Sequence, residues 1–197
     1  MTSGRELRSR IRAEESAVRR LVHICLPVFL LYYIIPDDTW IGIDKRIVLL
    51  GALFFFIVFE FLRLAYQIRV FGIREYEMDN MAAYLWAGIG FTVAFLLFDY
   101  ALVVPAILGM AWIDPLSGFL RGRKNGLYPW LPFASYLVLA AVALIVVSSL
   151  APWRIVFIAA AGAASGIAAE HKKIRFVDDD FLMLVVPLVV MTVVSGI

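Results

Sequence analysis

Residues 81–113 read MAAYLWAGIGFTVAFLLFDYALVVPAILGMAWI, and the way this stretch crosses a bilayer decides the fold. As one helix it would be about 50 Å long, too much for a hydrocarbon core of about 30 Å, yet two spans need about 20 residues each. The reading taken is a hairpin of two short helices, 81–98 and 100–113, turning at Asp99. A second helix interrupted at Pro105 leaves Asp114 at or just below the headgroups.

The composition supports a bilayer setting. Hydrophobic residues make up 63% of the 197 and the mean hydropathy is +0.89, against about 45–50% apolar residues in soluble domains. Further spans are read at 21–35, 47–65, 130–150, 153–169 and 181–196. The expected fold is all-α: a polytopic helical bundle of about seven transmembrane helices, formed by a single domain over 21–197. Residues 1–20 precede it as a basic amphipathic helix, with Ser3 and Glu6 at capping-box spacing and apolar residues at helical intervals. The run 21–35 ends in Pro36-Asp37-Asp38 without a small-residue cleavage site, so it reads as a retained span rather than a signal peptide.

Basic residues set the orientation. Seven spans with a cytosolic N-terminus put 15 of the 18 lysines and arginines on the cytosolic side, leaving Lys45, Arg46 and Arg154 outside. A single span over 81–113 would divide them 10 to 8. The positive-inside bias favours seven, a multi-pass protein with the segments 63–80, 114–129 and 170–180 facing the cytosol.

Chemistry-bearing residues concentrate in those segments. Residues 114–126, DPLSGFLRGRKNG, read as a polar basic loop opened by an acid. Asp114, Glu170 and the run Asp178-Asp179-Asp180 supply carboxylates, and Arg121, Arg123 and Lys124 supply cations between Gly122 and Gly126. Carboxylates converging with Arg and Lys at a membrane surface suit metal-nucleotide chemistry. Glu60 and Arg63 stand three apart and can pair on a helix end. His23, one turn from Arg19 and Arg20, reads as a packed or hydrogen-bonded residue rather than a base. The small-residue run Ala159–Gly166 reads as a central packing helix that, with its neighbours, borders a lateral groove for a lipid tail. Lone Cys25 excludes an intrachain disulfide, and no P-loop, GxSxG, GxGxxG or HExxH motif occurs.

In order and spacing these segments resemble the CTP-dependent polyprenol kinases, which include dolichol kinase, phytol kinase and the yeast-type diacylglycerol kinase, and more distantly the CDP-lipid cytidylyltransferases. The resemblance rests on Arg19-Arg20-Leu21-Val22-His23-Ile24, Glu60-Phe61-Leu62-Arg63, Asp114-Pro115, Gly122-Arg123-Lys124-Asn125-Gly126, Glu170 and Asp178-Asp179-Asp180. The chain departs from the family in carrying Trp130-Leu131-Pro132-Phe133-Ala134-Ser135 where a Lys-Ser element is usual, and Ile113 where a glycine precedes the first Asp.

The resemblance implies transfer of the CTP γ-phosphate to a polyprenol or related lipid hydroxyl at the cytosolic face. Asp114 with Asp178 or Asp179 would hold Mg²⁺ or another divalent cation. Arg121, Gly122, Arg123, Lys124 and Gly126 would grip the phosphates, and Glu170 would position or deprotonate the alcohol. Glu60, Arg63 and Asp180 would support the site. The alternatives are a cytidylyltransferase and a non-catalytic lipid-binding member. The partners expected are the bilayer, a lipid alcohol and a nucleotide, with no nucleic acid.

Overall fold

The structure is a computed structural model that describes residues 18, 20–39, 42–70, 73, 77–122, 126–171 and 177–196. The expected helix over residues 1–20 lies almost wholly outside the described residues. Within them the regular structure is helical: α1 (Arg20–Tyr33), α2 (Lys45–Tyr66), α3 (Ala83–Leu97), α4 (Tyr100–Gly122), α5 (Trp130–Val147), α6 (Pro152–His171) and α7 (Asp179–Ser195). Four of these, α2, α4, α5 and α6, are long and apolar enough to cross a membrane; α1 and α3 are apolar but shorter.

Local chemistry sets the boundaries. The Asp44 carboxylate accepts from the Arg46 N–H at 2.7 Å to open α2, which closes at Gln67 in a left-handed conformation, φ 51°. The break between α3 and α4 falls at Phe98 and Asp99, both extended, with Asp99 accepting from the Ala101 N–H at 2.8 Å. The expected break at Asp99 is present.

The expected end of the second helix is not. α4 runs through Pro105 and through Asp114 to Gly122, so most of the stretch expected to be a loop is helix. A π-turn over Gly109–Ile113 precedes Asp114. Pro115 brings no N–H, and it follows a widened turn where the i→i−4 ladder is already interrupted. Beyond that turn Ser117 and Leu120 are buried while Gly118 and Phe119 face outward, the pattern of one helix face against the bundle.

Neighbouring helices alternate in direction, as their ends show. At one end, His23 of α1 meets Asp180 of α7 and Asp114 of α4, Glu60 of α2 meets Ala82 ahead of α3, and Arg121 of α4 meets Glu170 of α6. At the other, Lys45 of α2 donates to the Ile35 carbonyl after α1 at 3.1 Å, and Arg154 of α6 donates to the Ser195 carbonyl of α7.

The core lies between α4, α5, α6 and α7. Tyr136 of α5 is fully buried between Gly109 of α4 and Gly166 of α6; a methyl group on either glycine would come within 2.5 Å of its ring. Gly162 likewise faces Met191, whose sulfur a methyl group would approach to 2.7 Å. The small-residue helix is thus central, as expected, and its glycines Gly166 and Gly162 are where Tyr136 and Met191 fit. The outward faces are apolar, with Phe54, Phe55 and Phe61 of α2 and Ile145 and Val146 of α5 exposed. Exposed apolar surface on this scale is suited to hydrocarbon rather than water.

Candidate functional site

Three polar side chains from three helices converge at the end of the bundle where α1 and α7 begin. The His23 Nε2 lies 3.1 Å from Asp180 Oδ1 and 3.6 Å from Asp114 Oδ2. The first distance is a hydrogen bond; the second is a charge contact only. His23 and Asp180 are buried, and the Asp114 side chain is 19% exposed. Asp180 is placed by the cap of α7, where the Asp178 carboxylate accepts the Asp180 N–H at 3.0 Å and starts the helix. Asp114 is placed by the π-turn, after which Asp114, Ser117 and Arg121 follow at i, i+3 and i+7 on one face of α4.

The donor set fits a divalent cation. One ligand atom from each of His23, Asp114 and Asp180 lies within 4.8 Å of the others. Two carboxylates sharing a low-dielectric space repel unless positive charge joins them, and two carboxylate oxygens with room for water are what Mg²⁺ takes. His23 adds a nitrogen donor that Mg²⁺ does not require. Asp178, Asp179 and Asp180 form a second group of the same kind. Asp114 thus groups with His23 and Asp180, and Asp180 belongs to both groups.

About two turns beyond Asp114 along α4, Arg121 Nη2 lies 2.7 Å from Glu170 Oε1 at the end of α6. Arg121 also sits over the Tyr128 ring, 5.7 Å from its centroid. Burial pushes the Tyr128 phenol pKa up, and the Glu170 carboxylate pushes the same way. Glu170 and Ser117 are buried, while the Arg121 side chain keeps 34% of its surface open. Glu170 is thus held to Arg121.

Glu60 and Arg63 lie at a separate place. Arg63 binds Glu60 through Nε and Nη2, both at 2.7 Å, and Nη2 donates on to the Glu77 and Asn80 carbonyls at 3.0 and 2.8 Å. Glu60 also accepts from the Ala82 N–H at 2.7 Å and from the Tyr84 hydroxyl. The pair clamps the chain ahead of α3 to the end of α2. Its supporting role is structural.

Beside the His23 group lies an apolar cleft of about 420 Å³ between α1, α2 and α3. Its walls include Leu26 and Phe29 of α1, Leu53 and Phe56 of α2, and Gly88 and Phe91 of α3. His23 and Asp180 line it toward one end, together with Val18, Val70 and Ile73. Sequence reasoning placed a groove elsewhere; it read His23 as a packed or hydrogen-bonded residue, and His23 is both buried and hydrogen-bonded to Asp180. Its distance to two acids 91 and 157 residues away is a tertiary fact, although the Arg-Arg-x-x-His pattern marked the position. Gly122 ends α4 and Gly126 opens the turn before α5. Arg123 and Lys124 lie outside the described residues. No protein-family model matches the chain, and neither a curated protein nor a solved structure does.

Proposed function

We propose that this chain is a membrane lipid-alcohol kinase that transfers the γ-phosphate of CTP to the hydroxyl of a polyprenol or related lipid at the cytosolic face. The observation that carries the reading is the His23, Asp114 and Asp180 group beside an apolar cleft that His23 and Asp180 themselves line. Buried acids in a membrane-facing bundle mark a functional site, and a hydrocarbon-lined space beside them suits a lipid whose polar head meets those acids. The order of sequence motifs, which resembles the polyprenol kinases, supplies the nucleotide.

In this reading Asp114 and Asp180 would hold the divalent cation, with Asp178 and Asp179 as further carboxylates near Asp180. Bound there, the cation supplies charge neutralisation for the transferring phosphate. Arg121 swings from Glu170 to a phosphate oxygen, joined by Arg123 and Lys124, and one of these cations takes the place of the missing lysine. The lipid oxygen attacks the γ-phosphorus, a new P–O bond forms, and the bond to the β-phosphate breaks to release CDP. The hydroxyl proton passes to His23, which lines the cleft; Glu170 positions Arg121 rather than the alcohol.

All seven helices cross the bilayer in this reading, with α1, α3 and α7 completing a set of alternating passes. That places the site and 15 of the 18 basic residues on the cytosolic side.

The test is a paired assay of the full chain in lipid vesicles with Mg²⁺, farnesol and either α- or γ-labelled CTP. Label from γ alone in the organic phase is the expected result. Label from α would make the protein a cytidylyltransferase, and no label from CTP or ATP would make it a lipid-binding protein.

A further inference from the structure

The polar groups of the cleft are confined to one end, and the rest of its length has the chemistry of a hydrocarbon site. His23 and Asp180 stand at the head, with Glu77 and Tyr84 nearby. Below them the polar atom of the walls on α3 is the Thr92 hydroxyl, which donates to the Gly88 carbonyl at 2.8 Å. That bond leaves the Thr92 methyl group and its neighbours for apolar contact.

Toward the far end the lining is aromatic. Phe29 and Phe91 lie 4.8 Å apart, Phe91 and Phe95 5.9 Å, and Phe95 stacks on Tyr32 at 4.6 Å. From Tyr84 to Phe95 the α3 wall rises about 16 Å, roughly half the hydrocarbon core.

The side of the cleft is open. Val22 and Phe29 of α1 and Phe56 of α2 line it and are also 55%, 50% and 40% exposed. Phe91 and Phe95 of α3, by contrast, are buried. The opening therefore runs between α1 and α2 and is continuous with the apolar outer faces of those helices.

We infer that this cleft binds one hydrocarbon chain of a single-tailed lipid alcohol, entering sideways from the bilayer between α1 and α2, with its hydroxyl delivered to His23. The inference rests on the lipid-kinase reading and narrows its substrate. At about 420 Å³ the cleft is near the small end of ligand sites, about 300–1,000 Å³, a volume suited to one hydrocarbon chain. A longer chain leaves by the open side, so chain length beyond the rings has little influence, whereas the volume leaves no room for a second chain beside the first at His23.

Gly88 is the residue that keeps the cleft open at its middle. A methyl group there would have Leu53 Cδ1 at 3.8 Å and Phe56 Cδ2 at 4.0 Å as its nearest neighbours. These are ordinary contacts, so the backbone accepts a larger residue, whose further atoms then fill the space of the ligand.

The experiment is photo-crosslinking of the full chain in phosphatidylcholine vesicles with a farnesol analogue carrying an aliphatic diazirine, mapped by peptide mass spectrometry. Label on α1, α2 and α3 wall residues is expected, competed by farnesol and not by dioctanoylglycerol. Gly88→Leu should lower it about tenfold or more, as a few methylenes lose their burial. Val142→Leu on the exposed face of α5 should leave it unchanged.

Label elsewhere, label insensitive to Gly88→Leu in a protein of normal melting temperature, or equal competition by dioctanoylglycerol would overturn the inference. Crosslinking needs no turnover. Cleft label without phosphate transfer would thus sink the kinase reading alone, and transfer with label elsewhere would sink this inference alone.

Discussion

Asp180 works through both its backbone and its side chain: its N–H completes the cap formed by Asp178, and its carboxylate reaches His23. Asp114 has no such second duty, which makes it the cleaner probe. Asp114→Asn keeps the volume and removes the charge, so phosphate transfer should fall at least a hundredfold, about 2.7 kcal/mol in transition-state stabilisation. The melting temperature should stay within a few degrees of the parent. Retained transfer would take Asp114 out of the site.

Glu60 should behave in the opposite way. Four donors converge on its carboxylate from Arg63, Ala82 and Tyr84, and Glu60→Ala would strand a buried guanidinium, a loss of about 3–5 kcal/mol. Denaturation in mixed micelles should show that loss, while the metal dependence of any remaining activity should be unchanged. Glu60 and Arg63 were legible in the sequence as a pair three apart. The backbone groups that they clamp, 14 to 22 residues away, were not.

At the scale of elements, α4 is the one whose course was misread. Its glycines, its prolines and the charges after Asp114 all have loop character when taken singly. The helix persists because a π-turn absorbs the strain and because Ser117 and Leu120 find buried places against the bundle. The same helix passes Tyr136 at Gly109, where the ring occupies the space that a side chain would need. Gly109→Ala should therefore cost about 1–3 kcal/mol by overpacking and should also lower transfer, because Gly109 begins the turn that orients Asp114. Gly118→Ala, with nothing within 4 Å of the added methyl, should leave both stability and transfer unchanged. If the two variants behave alike, the π-turn has no part in placing the site.

At the scale of the whole molecule, the alternating ends predict a topology. Gly126→Cys and Thr39→Cys, each in a Cys25→Ser background, sit beyond opposite ends of the bundle. A membrane-impermeant maleimide should label Thr39→Cys in intact cells and Gly126→Cys only in inverted vesicles. Labelling of both from one side would refute seven alternating passes.

The sequence by itself determined the helical class, the bilayer as solvent, the turn at Asp99 and the concentration of acids and arginines near one set of helix ends. These follow from hydropathy, helix length and capping, which are local and survive in the bare order of residues. Tertiary structure alone decided that His23 faces Asp114 and Asp180, that Glu170 is held by Arg121, and that the cleft lies between α1, α2 and α3. The small-residue face of α6 is filled instead by Tyr136 and Met191. Which helices leave a gap depends on how bulky and small residues of distant segments fit together, and that fit is a property of pairs across the bundle, not of any one stretch.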